Sequence, residues 1–266
     1  MKMGNVTELQ SKLRSLSSIA YNYIPDLYPD NYLKGRPELK GYSESVLTLA
    51  VYKKTNPVEF AEEQATFMMF LGPEVCPKIL AVTETGYMME YLEPYEPNID
   101  TLLYIETFLD SYIWDRSLAD APYTKTINDE SWRLELANTI NVKVPDWALD
   151  KPCLIHGDPT LDNTLFASRP FMRITDPIPP HRLIRPSIIA IDQSKILQSF
   201  LGWEYVLRGR TNPQFNWPRF MEDSIMAYQA TFWTMVSLKR IALRRPDTNA
   251  GRWAAHIGKE LEECVL

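Results

Sequence analysis

A chain of 266 residues with 45% hydrophobic and 23% charged side chains can bury a substantial core, and its 7 Trp, 14 Tyr and 10 Phe exclude a disordered polymer. The formal net charge of −6 argues against nucleic acid as a partner, because binding phosphate backbones needs a basic surface. The 3 cysteines share no metal-binding spacing, the polar start lacks a signal-peptide core, and no run of about eighteen apolar residues suits a bilayer, so no membrane partner and a cytoplasmic location are expected.

Taken in chain order, Val6, Leu9, Leu13, Leu16 and Ile19 recur at three- and four-residue steps, which predicts an amphipathic helix with Asn5 or Thr7 as its cap. The Pro-, Asp-, Asn- and Tyr-rich stretch from Tyr21 to Arg36 reads as loop. Val46 to Lys53 is a β-rich run without Gly or Pro and reads as a strand. After Pro57 a helix is expected, with Phe60, Phe67, Met68 and Leu71 on its apolar face and Gly72-Pro73 as its stop. Two short strands follow, Lys78 to Val82 and Gly86 to Glu90.

Beyond Glu93-Pro94 the pattern turns helical. Ile99 to Ile113 predicts a long apolar helix and Trp132 to Ile140 another. Short apolar runs surround His156 and occupy Thr164 to Ala167 and Phe171 to Thr175. Helices are then expected over Asp192 to Val206, Phe220 to Leu243 and Trp253 to Cys264. The expected fold class is α+β and bilobal: residues 1–94 form a small sheet-containing N-lobe with a leading helix, and residues 95–266 a larger helical C-lobe.

Several charged groups read first as solvated surface. Arg208, Arg210, Lys239, Arg240, Arg244 and Arg245 form such a set, with a local basic patch as the functional alternative. Glu204, Glu222, Asp223, Glu260 and Glu262 form another, with a cationic substrate as theirs. His181 and His256 have no partner visible in the sequence.

The chemistry concentrates between Leu154 and Phe166, in the string Leu-Ile-His-Gly-Asp-Pro-Thr-Leu-Asp-Asn-Thr-Leu-Phe. Its polar core is His156-Gly157-Asp158, with Asn163 five positions after the Asp; a second carboxylate, Asp176, follows the next apolar run. The flanking apolar runs would hold the two turns side by side, as in a hairpin. This segment resembles the catalytic loop of the aminoglycoside phosphotransferase and choline kinase group, small-molecule relatives of the protein kinases, in which His-x-Asp is followed by Asn at that offset. Gly157 and Thr160 stand where protein kinases usually carry Arg and Lys, which points to a small-molecule acceptor. Ile191-Asp192 through Ser199 resembles the helix start that follows in sugar- and choline-type members.

The resemblance implies an ATP- and Mg²⁺-dependent transfer of phosphate to a hydroxyl of a sugar, aminoglycoside or amino alcohol. Asp158 would be the catalytic base, Asn163 and Asp176 the Mg²⁺ ligands, His156 the support of the loop and Asp192 a structural brace. In the front lobe Lys53 lies on the face of Leu49 and Val51, as a phosphate-contacting Lys requires, with Lys54 pointing the other way. Glu63 is the expected helix partner of Lys53, with Glu59 and Glu62 as competitors. No glycine-rich phosphate loop is present; Ser43 and Ser45 in the turn after Gly41 are the candidates for covering phosphate. Glu90 and Leu92 belong to the stretch from Met88 to Leu92 that is expected to bind adenine through its backbone. A nucleotide-binding pseudokinase is the competing reading. A metal-dependent hydrolase built on His156, Asp158, Asp176 and His181 is a third, which leaves Asn163 without a role.

Overall fold

The computed structural model describes residues 5–26, 50–54, 58–84, 86–94, 96–122, 131–168, 171–183 and 185–266. The architecture is α+β. One antiparallel sheet contains β1 (Ala50–Lys54), β2 (Ile79–Thr83) and β3 (Gly86–Glu90) in the order β1-β3-β2, with α2 (Val58–Leu71) packed on it. The expected strand, helix, strand, strand series is therefore present, although Val46 to Leu49 of the first expected strand, and the turn with Ser43 and Ser45, lie outside the described residues. Register pairs Val51 with Met89 and Lys53 with Tyr87.

Gly72 ends α2 in a left-handed conformation (φ 96°), and Arg116 donates to the freed carbonyls of Leu71 and Phe70 at 3.0 Å each. Arg116 comes from the segment after α3 (Thr101–Leu109), so this side chain is one of the ties between the front sheet layer and the helical part. The expected helix over Ile99 to Ile113 is α3 continued by a wider turn at Asp110–Trp114.

Tyr91-Leu92 leads from β3 to β4 (Glu93–Pro94), which belongs to a second antiparallel sheet with β5 (Thr164–Ser168) and β6 (Phe171–Ile174) in the order β4-β5-β6. The β5–β6 hairpin pairs Thr164 with Ile174 and Leu165 with Arg173. The helical body comprises α3, α4 (Ser131–Ile140), α5 (Ile189–Phe200), α6 (Trp203–Arg208), α7 (Ser224–Arg244) and α8 (Asn249–Val265). α5 is buried around nearly its whole circumference and packs against α7, which makes it the axis of the core.

Two expectations need correction. The single helix expected over Asp192 to Val206 is two, broken at Gly202. That glycine sits at φ 98°, and a Cβ there would lie 2.5 Å from the Cβ of Ala20. The break lets the segment after α1 (Val6–Ile19) approach the helix backbone, which a side chain would forbid. The leading helix, expected with the front lobe, packs instead on the rear helices. Lys12 bonds Glu260 at 2.5 Å, Gln10 donates to the Met221 carbonyl, and Arg14 lies over the rings of Phe200 and Trp217. Leu9, Leu13 and Leu16 are the face it buries. Asn5 caps it, accepting from the Thr7 amide at 2.9 Å.

Candidate active site

Residues 154–163 pass through the core with few rotational options. Cys153 exchanges two hydrogen bonds with Ser187, Leu154 donates to the Arg116 carbonyl, and the His156 carbonyl accepts from Ile178 at 2.8 Å. Gly157 adopts φ 87°, and a Cβ there would meet the Cβ of Ile178 at 3.0 Å, so this turn requires glycine. Asp192, in the first turn of α5, holds the loop from beneath. Its carboxylate accepts from the amides of His156 (2.9 Å) and Gly157 (2.7 Å) and from the Trp114 indole (3.0 Å). Burial nevertheless pushes Asp192 up to about 6.

The ring of His156 is fully buried, and burial lowers it to about 4, so it is neutral near pH 7. Its Nδ1 accepts from the Asp158 amide at 3.3 Å, which fixes the turn that presents Asp158. Asn163 closes the same turn from the other end. Its Nδ2 donates to the Asp158 carbonyl (2.8 Å) and to Asp158 Oδ2 (3.1 Å), which turns the amide oxygen away from the carboxylate.

Asp176 reaches this position because the hairpin brings its two ends together: the Thr175 amide donates to the Asn163 carbonyl at 2.8 Å, one step beyond the last β5–β6 pair. Asp176 has φ 61°, one of two non-glycine residues in the left-handed region among the described residues. Such strain persists only where surrounding contacts impose it. Here Lys53 pairs with Asp176 Oδ1, and Gln64 donates to the Pro177 carbonyl at 3.1 Å. The chain matches no family model, no curated protein and no solved structure.

Lys53 thus pairs with Asp176 and Asn163 with Asp158, and the two pairs are joined through the backbone bond from Thr175 to Asn163. Glu63 does not hold Lys53 as expected; it receives Arg182 at 2.6 and 3.0 Å and His181 at 2.9 Å, and the Arg182 bond draws its carboxyl below the ordinary range. Glu63 is thus occupied by two side chains from the segment after β6, and Lys53 pairs with Asp176. Glu90 places its carboxylate on the Lys78 amide (2.8 Å), bracing the edge between β2 and β3, and Leu92 is buried at the joint between the two sheets. The hydrolase cluster does not form. His181 is taken by Glu63, His156 faces the Asp158 amide, and no group of three or more His, Cys, Asp or Glu converges for a metal among the described residues.

Two participants, Gln64 and Arg185, escaped sequence reasoning, and a third, Lys195, appears there without its partner. Gln64 is buried, accepts from the Tyr87 hydroxyl at 3.0 Å and donates to the Pro177 carbonyl, so it links β3 to the Asp176 turn. Its spacing from Ala61 and Met68, on the buried face of α2, was the available signal. Lys195 places its ammonium 3.0 Å from Asp158 Oδ1. Arg185 is 8% exposed, donates to Ser237 at 2.9 Å, and is lowered by burial to about 10. Lys195 lies in the helix start that the resemblance singles out, without its contact to Asp158 being foreseen; nothing in the local sequence marks Arg185, whose contacts span loop and helix.

Proposed function

We propose that this chain is an ATP- and Mg²⁺-dependent phosphotransferase acting on a hydroxyl of a small molecule, in a bilobal arrangement resembling the protein kinases and close to the aminoglycoside phosphotransferase and choline kinase group. Residues 1–94, apart from the leading helix, would serve as the nucleotide-covering lobe and residues 95–266 as the catalytic lobe. One observation supports the reading: the backbone bond from Thr175 to Asn163 sets the turn of Asp176, which pairs with Lys53, next to the turn in which Asn163 holds Asp158.

The donor set fits a hard divalent cation: the Asn163 amide nitrogen is used by Asp158, which leaves its oxygen, and Asp176 adds a carboxylate. Mg²⁺ needs few protein ligands when nucleotide phosphates supply the rest, and bound there it would neutralise charge on those phosphates. Lys53 can contact phosphate oxygens from β1. Asp158 orients the acceptor hydroxyl and takes its proton. The acceptor oxygen then forms a bond to the γ-phosphorus as the bond to the bridging oxygen breaks, and ADP leaves with that electron pair.

The test is acceptor-dependent ADP release in the presence of ATP, Mg²⁺ and a panel of hydroxylated compounds. Asp158→Asn is expected to lower kcat by about 10²–10⁴-fold, the usual contribution of a general base. Nucleotide binding without turnover on any acceptor would leave a binding module, and turnover unchanged in Asp158→Asn would overturn the assignment.

A further inference from the structure

The chain as a whole is acidic, with a formal net charge of −6, yet the cavity beside Asp158 is basic. This cavity of about 290 Å³ is lined by Arg182, Arg185, Lys195, Arg240 and Arg244 around the single carboxylate of Asp158. The cations come from three places: the turn after β6, α5, and the last two turns of α7. Arg240 and Arg244 are four residues apart, so they share one face of α7.

Neutralisation inside the protein is incomplete. Arg182 is engaged with Glu63 and Lys195 with Asp158. Among the described residues, no carboxylate forms an ion pair with Arg185, Arg240 or Arg244. Arg185 is nevertheless nine-tenths buried, and its hydrogen bonds go to neutral oxygens, the Ser237 hydroxyl at 2.9 Å and the Gly157 carbonyl at 3.5 Å. Burial and mutual repulsion lower the proton affinity of Arg185 and Arg240. Arg185 is taken out of water, Arg240 is half-buried and Arg244 stands exposed at the rim, so an anion entering from solvent would offset the cost of burying Arg185.

The position of the cavity says which ligand that anion is. Asp158 is shared between two sides: Oδ2 meets Asn163, toward the Asp176 and Lys53 pair, whereas Oδ1 meets Lys195, whose side chain lines the cavity. Neither Asp176 nor Lys53 lines it. Resting on the phosphotransferase reading above, we propose that this cavity holds the acceptor and that the acceptor is an anion, a small hydroxylated compound bearing a phosphate monoester or carboxylate. Its anionic group sits on Arg185, Arg240 and Arg244, and its hydroxyl meets Asp158. A cavity at the lower end of ligand-pocket sizes suits a molecule of triose to single-sugar size, not a polycationic multi-ring compound.

The test separates the site from the reaction. Calorimetry on the full chain without nucleotide compares glycerol 3-phosphate, glycerate and glycerol, in wild type and in Arg240→Ala/Arg244→Ala. Both anions are expected to bind at least ~10-fold more tightly than glycerol, and the double variant to lose ~10–100-fold for the anions alone. An unchanged thermal transition in the variant assigns that loss to the site. The tighter of the two anions names the anchoring group. In turnover with ATP, the same variant should raise the acceptor KM while the KM for ATP stays within about 2-fold. Anions that bind no better than glycerol, or equally well in the variant, overturn the proposal. Arginine-dependent anion binding without ATP-dependent transfer to any acceptor removes the phosphotransferase reading and the acceptor role with it, and leaves the anion site standing.

Discussion

Two opposing effects act on the Asp158 carboxyl. Burial acts to raise it, but the adjacent Lys195, helped by His156 and Arg185, brings it below its ordinary value. A base is competent when deprotonated, so activity is lost as pH falls through its pKa, and a depressed pKa keeps that loss at low pH. Lys195→Met removes the chief lowering influence and leaves the burial. The acid limb of the kcat/KM profile should therefore move to higher pH, with a smaller change at the alkaline plateau; an acid limb in the wild-type position would show that Lys195 does not set the charge state of Asp158. At this scale the sequence displayed Asp158, Asn163 and Asp176 because chain-local spacing defines them. It concealed the partners: the Lys53 to Asp176 pair and the engagement of Glu63 by His181 and Arg182 depend on which distant side chains the fold brings within reach.

At the scale of elements, the loop that carries Asp158 is closed on itself by His156 and Asn163 and fastened to α5 through Asp192. Two backbone amides and the Trp114 indole converge on that one carboxylate. Because burial pushes Asp192 up to about 6, the folded chain binds its proton more tightly than the unfolded chain does. Its contribution to stability is therefore greatest below the unfolded value near 4, falls as pH rises to about 6, and is level above that, a change of roughly 3 kcal/mol across the window. Asp192→Asn has no such titration. It also sets an amide N–H against one or more donors, at a cost of ~1–3 kcal/mol for each bond left unmade, independent of pH. Urea denaturation at pH 4.5 and pH 7 should thus find the wild type's advantage over Asp192→Asn larger at the lower pH. An advantage that grows with pH would mean the carboxylate is better stabilised in its site than its burial implies. The brace itself was implied by the resemblance of the Ile191 to Ser199 segment to the helix start of sugar- and choline-type members. The division between α5 and α6 was not, because periodicity alone does not reveal the close approach of Ala20 that needs Gly202.

Across the whole molecule, element type was legible nearly everywhere that apolar periodicity is strong, and the assembly of elements was not. The leading helix shows this. Its stripe of Leu9, Leu13 and Leu16 announced a helix but carried no sign of which surface it would cover, and it covers the end of the chain instead of the neighbouring sheet. The arginines of the cavity show the same limit. Lys239 pairs with Glu262, as a surface reading allows, while Arg208 and Arg210 reach the buried Asp162 and Arg240, from the same apparent patch, lines the cavity. Because α1 connects residues at opposite ends of the sequence, its loss should be felt by the rear helices as a unit. Leu13 is fully buried, so Leu13→Ala removes apolar area and leaves a void, at a cost of about 2–5 kcal/mol. In urea, the expected result is one transition displaced to lower midpoint with the slope m retained, followed by both fluorescence and far-ultraviolet circular dichroism. An early minor transition, with the main one unmoved, would show that α1 peels away alone and that the helical body is complete without it.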